Sequence, residues 1–356
     1  MMDKMKLPAV PPGTPSLILA IETSCDETSV AVVEDGRIIR SNVISSQIET
    51  HKKFGGVVPE VASRQHVESI TWIIEEAVEK AGIRLQDVDA VAVTQGPGLV
   101  GSLLVGLVAG KALAFSLGVP LIAVHHIAGH IYANRFVQEL EYPSLALVVS
   151  GGHTELVVLE GPGQFRIIGR TRDDAVGEAY DKVARALGLP YPGGPHLDRL
   201  ALAADGAVQL PRAWLEPDSY DFSFSGLKSA VLAALNTARM KGLDLAADHV
   251  ARGFQDSVID VVTEKAMRAA RQFGAKQLLL AGGVAANKGL RGSLTERCRQ
   301  ARLPLVVPPL ELCTDNAAMI AAAAHLKWER GEFAPMTLKA EAVLSLEEWS
   351  VKSYKE

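Results

Sequence analysis

One pattern occurs twice in this chain and limits what it can fold into. Leu17–Thr23 reads as an apolar strand, Ser24-Cys-Asp-Glu27 as a polar turn, and Thr28–Glu34 as a second strand. Asp35-Gly36 then reads as a hairpin turn and Arg37–Ser45 as a third strand. The same order returns further on. Ser144–Val149 is a strand, Ser150-Gly-Gly-His153 a polar turn, Thr154–Glu160 a strand, Gly161-Pro-Gly163 a turn and Phe165–Arg170 a strand. The first copy continues with a helix over Pro59–Ala81, a strand over Ala90–Thr94, a helix over Val100–Ser116 and a short buried strand over Val119–Val124. The second continues with helices from Gly177 and Gly226, a long helix over Val250–Phe273 and a strand over Gln277–Ala281. A helix from Asn287, a strand over Leu303–Val307 and a helix from Thr314 complete it. Such a duplication predicts two similar α/β lobes facing one another across a cleft, with both polar turns on that cleft.

This α/β arrangement resembles the actin, hexokinase and Hsp70 superfamily, the ASKHA or RNase H-like fold, in which paired turns hold nucleotide phosphates. On this reading residues 1–15, with four prolines, are a loose leader. Residues 16–140 form the first lobe, 141–331 the second, and 332–356 a C-terminal tail. A length of 356 residues suits two domains. The net charge of −5 is not that of a whole-surface nucleic-acid binder, so an RNA contact needs a local patch or a partner protein. Three cysteines, Cys25, Cys298 and Cys313, are an odd number without metal-type spacing and fit a reducing compartment. No signal segment is expected. The apolar run Leu99–Val124 is broken by Lys111 and glycines, and reads as helix, turn and strand, not as a membrane span. A cytoplasmic location follows.

The chemistry-bearing residues start with Ala123-Val-His-His-Ile-Ala-Gly-His130. His126 and His130 are four apart and share one face of a helix. They are either packed and capping histidines or two ligands of one divalent metal ion. Ile127 stands where a His-Glu-x-x-His protease carries its general base. His125 precedes the helix and supports or fills. Asp315, in Cys313-Thr-Asp-Asn316, is either a carboxylate favoured by the dipole in a helix's first turn or a third metal ligand from the other lobe. Ser150–His153 is either a tight hairpin turn or an anion nest of backbone N–H groups. Asp181 lies in a helix pattern beside Lys182, and its plain reading is a solvated face. Pro192-Gly-Gly-Pro195 is a rigid loop that permits close backbone approach. Asn287, after Ala281-Gly-Gly-Val-Ala-Ala286, caps a helix and can also offer an amide to a base or ribose. Gly55–Glu60 follows His51-Lys-Lys53, with Arg64 and His66 beyond. It is a solvated loop or a contact with RNA phosphate or a partner.

Nine segments stand in one order over nearly the whole chain. They are Glu22–Thr28, Gly55–Glu60, His126-x-x-x-His130, Ser150–His153, Gly177-Glu-Ala-Tyr-Asp-Lys182, Tyr191–Pro195, Phe222-Ser-Phe-Ser-Gly-Leu-Lys228, Gly282–Asn287 and Cys313–Asn316. Together they strongly resemble the bacterial TsaD family, once known as O-sialoglycoprotein endopeptidases. The resemblance implies transfer of the threonylcarbamoyl group from threonylcarbamoyl-AMP to N6 of adenosine 37 in tRNAs that read codons beginning with A. It implies His126, His130 and Asp315 as ligands of one divalent metal ion, Fe2+ favoured and Zn2+ possible. It makes Val149, Ser150, Gly151, Gly152 and His153 the substrate loop. Asp181, Gly194 and Asn287 would bind the adenylate or ATP, with Asp26, Glu27 and Asp198 as lesser candidates. Beyond tRNA, the implied partners are a shorter paralogue of the same fold (TsaB type) and a small P-loop ATPase (TsaE type), with no membrane. Two other classes rest on parts of the sequence: a metal-dependent glycoprotein endopeptidase, from the histidine pair, and an ATP-dependent kinase-like module, from the fold. The first lacks its base at position 127, and the second lacks an evident catalytic Asp and sugar pocket.

Overall fold

The computed structural model describes residues 15–349. Apart from Pro15, the expected leader lies outside the described residues, as do residues 350–356 of the tail. Apolar β-rich runs build β1 (Leu17–Glu22), β2 (Glu27–Glu34) and β3 (Ile38–Ser46). A short α1 (Ile48–His51) and the long α2 (Pro59–Ala81) lead to β4 (Ala90–Gly96), α3 (Val100–Leu117), β5 (Leu121–His125) and α4 (His126–Tyr132). The second copy runs β6 (Ser144–Val149), β7 (Thr154–Gly161), β8 (Gln164–Arg170), α5 (Val176–Ala186), α6 (Gly193–Ala203), α7 (Ser225–Met240) and α8 (Ala247–Gln272). It closes with β9 (Gln277–Ala281), α9 (Lys288–Ala301), β10 (Leu305–Val306) and α10 (Ala317–Trp328).

The duplication is literal in the sheets. The first has the order β3-β2-β1-β4-β5 and the second β10-β9-β6-β7-β8. In each, the first strand of the unit pairs antiparallel with its hairpin partner and parallel with the strand that returns after the helices. Side chains alternate between faces along each strand. In β1, Leu19 and Ile21 join an outer core with α2 and α3, whereas Ile18 and Ala20 point inward. The inward faces of both sheets share one core with α4 and α10.

Each copy's last helix reaches the other copy. Although α10 follows the second sheet in sequence, it packs on β1, β2 and β5 of the first. α4 touches β4 and β5 on one side and β6 and β9 on the other, and packs on α10. The sequence division at residue 331 does not follow this packing. Small side chains permit it: Ala321, Ala322, Ala323 and Ala324 are fully buried against a sheet face that offers Ala20, Ala31, Ala90 and Ala92.

Residues 332–349, read in sequence as a tail, run back over the first lobe. The Ala334 N–H donates to Leu121 O (2.7 Å), covering the free edge of β5. The Glu341 N–H donates to Gln95 O (2.9 Å), and the buried Trp349 donates its Nε1–H to Ala123 O (2.8 Å). Among the described residues, α3 is the one helix that passes for a membrane span by length and composition, with mean hydropathy 1.8. It packs on α2 and β4.

A leucine at 322 would overfill the alanine layer. Overpacking of this kind costs about 1–3 kcal/mol, so Ala322→Leu is expected to lower the urea midpoint of unfolding, and an unchanged midpoint would contradict the tight central layer.

Candidate functional site

β5 runs into α4 without a loop. His125 makes the turn possible, because its Nδ1 accepts from the Ile127 N–H (3.1 Å) and its Nε2 donates to Leu344 O (3.0 Å). The next residue starts the site. His126 and His130 lie on one face of α4, 7% and 1% exposed, with ring centroids 4.7 Å apart. Asp315 Oδ1 lies 3.1 Å from His130 Nε2 and 3.5 Å from His126 Nε2. One donor atom from each of the three residues lies within 4.8 Å of the others. Asp315 is not in the helix, contrary to its reading as a first-turn carboxylate. Asn316 caps α10 by accepting from the Met319 N–H (3.0 Å), and this frees Asp315 to face α4.

His126 is oriented from behind, whereas His130 Nδ1 is buried without a hydrogen-bond partner. His126 Nδ1 lies 3.2 Å from Glu22 Oε2 and 3.2 Å from Ser24 Oγ. Glu22 is fully buried and also accepts from the Ser24 N–H (2.5 Å) and the Thr94 hydroxyl (2.6 Å). This fixes the Nδ1 proton and turns Nε2 toward Asp315, the arrangement by which a carboxylate orients a ligating histidine. Burial alone would lower the His126 imidazole, but Asp315 and Glu22 outweigh it and hold it up at about 9. Burial would raise the Asp315 carboxyl, yet His126, His130 and His153 hold it far below the ordinary value. The buried Glu22 and the half-buried Asp315 therefore draw a positive charge to this spot. Two imidazole nitrogens and one carboxylate oxygen fit a transition-metal dication such as Zn2+ or Fe2+, whose binding would displace the His126 proton.

The polar turns line two adjoining cavities of about 560 and 550 Å³. Both are bounded by Asp26, Ser150, Gly151, Asp181, Tyr191 and Asp315. The first cavity also has Cys25, the Gly55–Val57 loop, His126, His153, Lys182 and Arg185 in its wall. In the second-lobe turn the Ser150 N–H donates to His153 O (2.8 Å) and the His153 N–H to Ser150 Oγ (3.1 Å). Neither Gly151 nor Gly152 has a left-handed φ, so the backbone conformation of this turn does not itself demand glycine. A Cβ at either would meet open space; the glycines leave bare backbone on the cavity. Gly282 does need to be glycine: its φ is +91° and a Cβ would lie 2.4 Å from Val149 O. The Val149 side chain is in the second-lobe core, so only its backbone serves the turn. Burial and the charges of His126 and His130 take the His153 imidazole down to about 4. In the first-lobe turn Asp26 lines both cavities. Glu27 accepts from Ser46 Oγ (3.1 Å), and burial with the charges of Asp26 and Asp315 pushes its carboxyl well up.

The second cavity is framed by capped helix starts. Pro192-Gly-Gly-Pro195 is not a loop but the opening of α6. Asp181 is not on a solvated face either. Its Oδ1 accepts from the Gly193 N–H (2.7 Å) and the Gly194 N–H (3.3 Å), satisfying two donors that α6 cannot bond internally. Asp198 does the same for α9 through Lys288 N–H (3.0 Å) and Gly289 N–H (3.3 Å). Asn287 caps α9 through the Leu290 N–H (2.7 Å), and its amide donates to Gln255 Oε1 (3.0 Å). Asp181, Gly194, Asp198 and Asn287 all border this cavity.

Sequence reasoning assigned no role to Glu22, Tyr191, Lys182 or Arg185. Glu22 had a signal, since it is the one acid ending the otherwise apolar LILAIE strand. Arg185 donates to Gly55 O across the cleft, a contact between lobes that no local pattern encodes. Glu22→Gln is expected to weaken divalent-metal binding about 10–100-fold, read by chelator competition on the folded protein. Unchanged affinity would mean that Glu22 does not orient His126.

The family model described as TsaD, tRNA N6-adenosine threonylcarbamoyltransferase, matches residues 38–322. The tRNA N6-adenosine threonylcarbamoyltransferase of Halalkalibacterium halodurans is 64% identical over 331 residues, covering 93% of this chain and 96% of the relative. That of Bacillus cereus is 61% identical over 333 residues, covering 93% and 97%. Two solved structures share the fold at low identity. HypF of T. kodakarensis has a TM-score of 0.60 at 14% identity, over 92% of this chain and 50% of that one. The Acidaminococcus fermentans (R)-2-hydroxyglutaryl-CoA dehydratase component A has a TM-score of 0.52 at 15% identity, over 89% and 98%. With a family match across most of its length and relatives above 60% identity, this chain belongs to the TsaD family of tRNA N6-adenosine threonylcarbamoyltransferases.

Proposed function

We propose that this chain transfers the threonylcarbamoyl group from threonylcarbamoyl-AMP to N6 of adenosine 37 in tRNAs that read codons beginning with A. Family membership supports a transferase acting on tRNA. The observation that carries the finer reading is the meeting of two cavities at Ser150, Gly151 and Asp315. The second cavity, with Asp181, Gly194, Asp198 and Asn287, takes the adenylate. The first, with Lys182 and Arg185 on its wall, takes the acceptor adenosine and its phosphates. The activated carbonyl then lies where the two join.

In the reaction the N6 lone pair attacks the carbamoyl carbonyl carbon. The new C–N bond forms as the C–O bond to phosphate breaks, releasing AMP and the N6 proton. The donor is already activated, so no protein nucleophile is needed; orientation and charge stabilisation suffice. The bare backbone of Gly151, which borders both cavities, faces the leaving phosphate. His126, His130 and Asp315 would hold one divalent ion, Fe2+ favoured and Zn2+ possible, which when bound supplies Lewis-acid polarisation of a donor oxygen. Such a tRNA reaction takes place in the cytoplasm.

The outer face of the first lobe supports a partner of the same fold. Val67 and Trp72 on α2, with Val100, Leu104, Val108 and Phe115 on α3, are exposed large apolar side chains on two helices packed together. A shorter paralogue covering this stripe would account for the apolarity of α3, and a small P-loop ATPase would complete the assembly.

The transfer assay combines this chain with threonine, bicarbonate, ATP, the adenylate-forming enzyme, unmodified tRNA and the two partners, and reads threonylcarbamoyl-adenosine in digested tRNA. Asp315→Ala is expected to lower product formation by at least about 100-fold; full activity in that variant would overturn the cross-lobe site. Leu104→Glu is expected to weaken association with the paralogue by more than about tenfold, measured by calorimetry. Intact binding would place the interface elsewhere.

A further inference from the structure

The mechanism above leaves Gln47, His51 and His66 unused, yet both imidazoles are fully buried. They form a hydrogen-bonded chain whose direction is forced. The Val58 N–H, a donor only, faces His51 Nδ1 (3.3 Å), so that nitrogen accepts and His51 Nε2 carries the proton. His51 Nε2 donates to Gln47 Oε1 (3.1 Å). The Gln47 amide nitrogen thereby faces Ala62 O (3.3 Å) and His66 Nδ1 (3.4 Å). The Thr28 hydroxyl donates to the same Nδ1 (2.8 Å), and His66 Nε2 donates to Cys25 O (2.9 Å), an acceptor only. One end of this chain is Cys25, in the polar turn. The other is Val58, directly after the Gly55–Val57 loop. Both Cys25 and that loop are walls of the first cavity.

We propose that Gln47, His51 and His66 are positioning residues that lock the Gly55–Val58 loop to the Ser24–Asp26 turn, keeping the acceptor side of the cleft in shape while His66 is neutral. The assignment of that side to the acceptor rests on the transferase reading above. A proton on His66 Nδ1 would set an N–H against the Gln47 amide N–H and break the chain at its centre. The charged and titratable groups facing His66 are Glu22, Asp26 and His51. Burial outweighs the two carboxylates and holds the His66 imidazole below its ordinary value of 6.5. The sign follows: below pH 6.5 the unfolded chain takes up a proton that the folded one refuses, so this contribution to stability falls as pH drops through that value.

The test uses Gln47→Leu, which removes the centre of the chain, and Gln47→Glu, which keeps its size but sets an acceptor oxygen against the His66 Nδ1 lone pair. With the partner proteins present, both are expected to raise the KM for tRNA by at least about tenfold, because the loop and the turn are no longer tied through residue 47. kcat and the affinity for ATP, used as the probe of the second cavity, stay at wild-type values. In histidine-labelled wild-type protein, 15N spectra at neutral pH should show both rings as Nε2–H tautomers. An Nδ1–H tautomer on either ring overturns the proposal. So does an unchanged KM in the folded variants, or an equal loss of ATP affinity. A wild-type chain without any transfer would sink the transferase reading, and the tautomers would still decide whether the lock exists.

Discussion

Everything in this molecule depends on the contact between α4 and α10. Each helix ends one copy of the duplicated unit, and each lies against strands of the other. Two apolar sheets could not close on a pair of helices with ordinary side chains between them, and the run of buried alanines makes the layer thin enough. Among the described residues, the metal-ligating candidates come from this layer and its edge. His126 and His130 are on α4, and Asp315 directly precedes α10. Bringing the lobes together and assembling the triad are one event.

The cleft holds many carboxylates, and hydrogen bonding sorts them. Asp181 and Asp198 satisfy backbone donors at helix starts, so their charge is met by the frame. Glu22 orients a histidine. Asp315 alone faces two imidazoles with its carboxylate outside any cap. Glu27 is pushed up by burial and then by its acidic neighbours, and is the member of this group least fitted to stay ionised. A row of acids that looks uniform in sequence thus splits into framework and chemistry once donors are counted.

Much of this was legible beforehand, for identifiable reasons. Period-two hairpins bounded by Asp-Gly or Gly-Pro-Gly turns are local signals, and β6, β9 and α2 have the limits that pattern alone suggests. The i, i+4 histidines are local as well. What stayed hidden is non-local. Asp181 reads as a solvated residue because its partners, Gly193 and Gly194, are on the next helix. Pro192–Pro195 reads as a loop because two glycines and two prolines conceal a helix start whose cap comes from elsewhere. The placement of α10 on the first sheet is invisible to any window of sequence, as is Trp349 bonding to Ala123 across 226 positions.

The return of α10 and the closing strap to the first lobe also bears on how the protein is made. During synthesis the first sheet emerges early, but the helix that covers its inner face lies about 300 residues further along the chain than β1. Until residues 317–349 leave the ribosome, the apolar inner faces of β1, β2, β4 and β5 have no final cover, and the β5 edge has no strap. The first lobe is therefore the first half to be translated and the last to be finished. Sticky, unfinished intermediates are built into its topology, and the nascent chain depends on being shielded from its neighbours for most of its own translation.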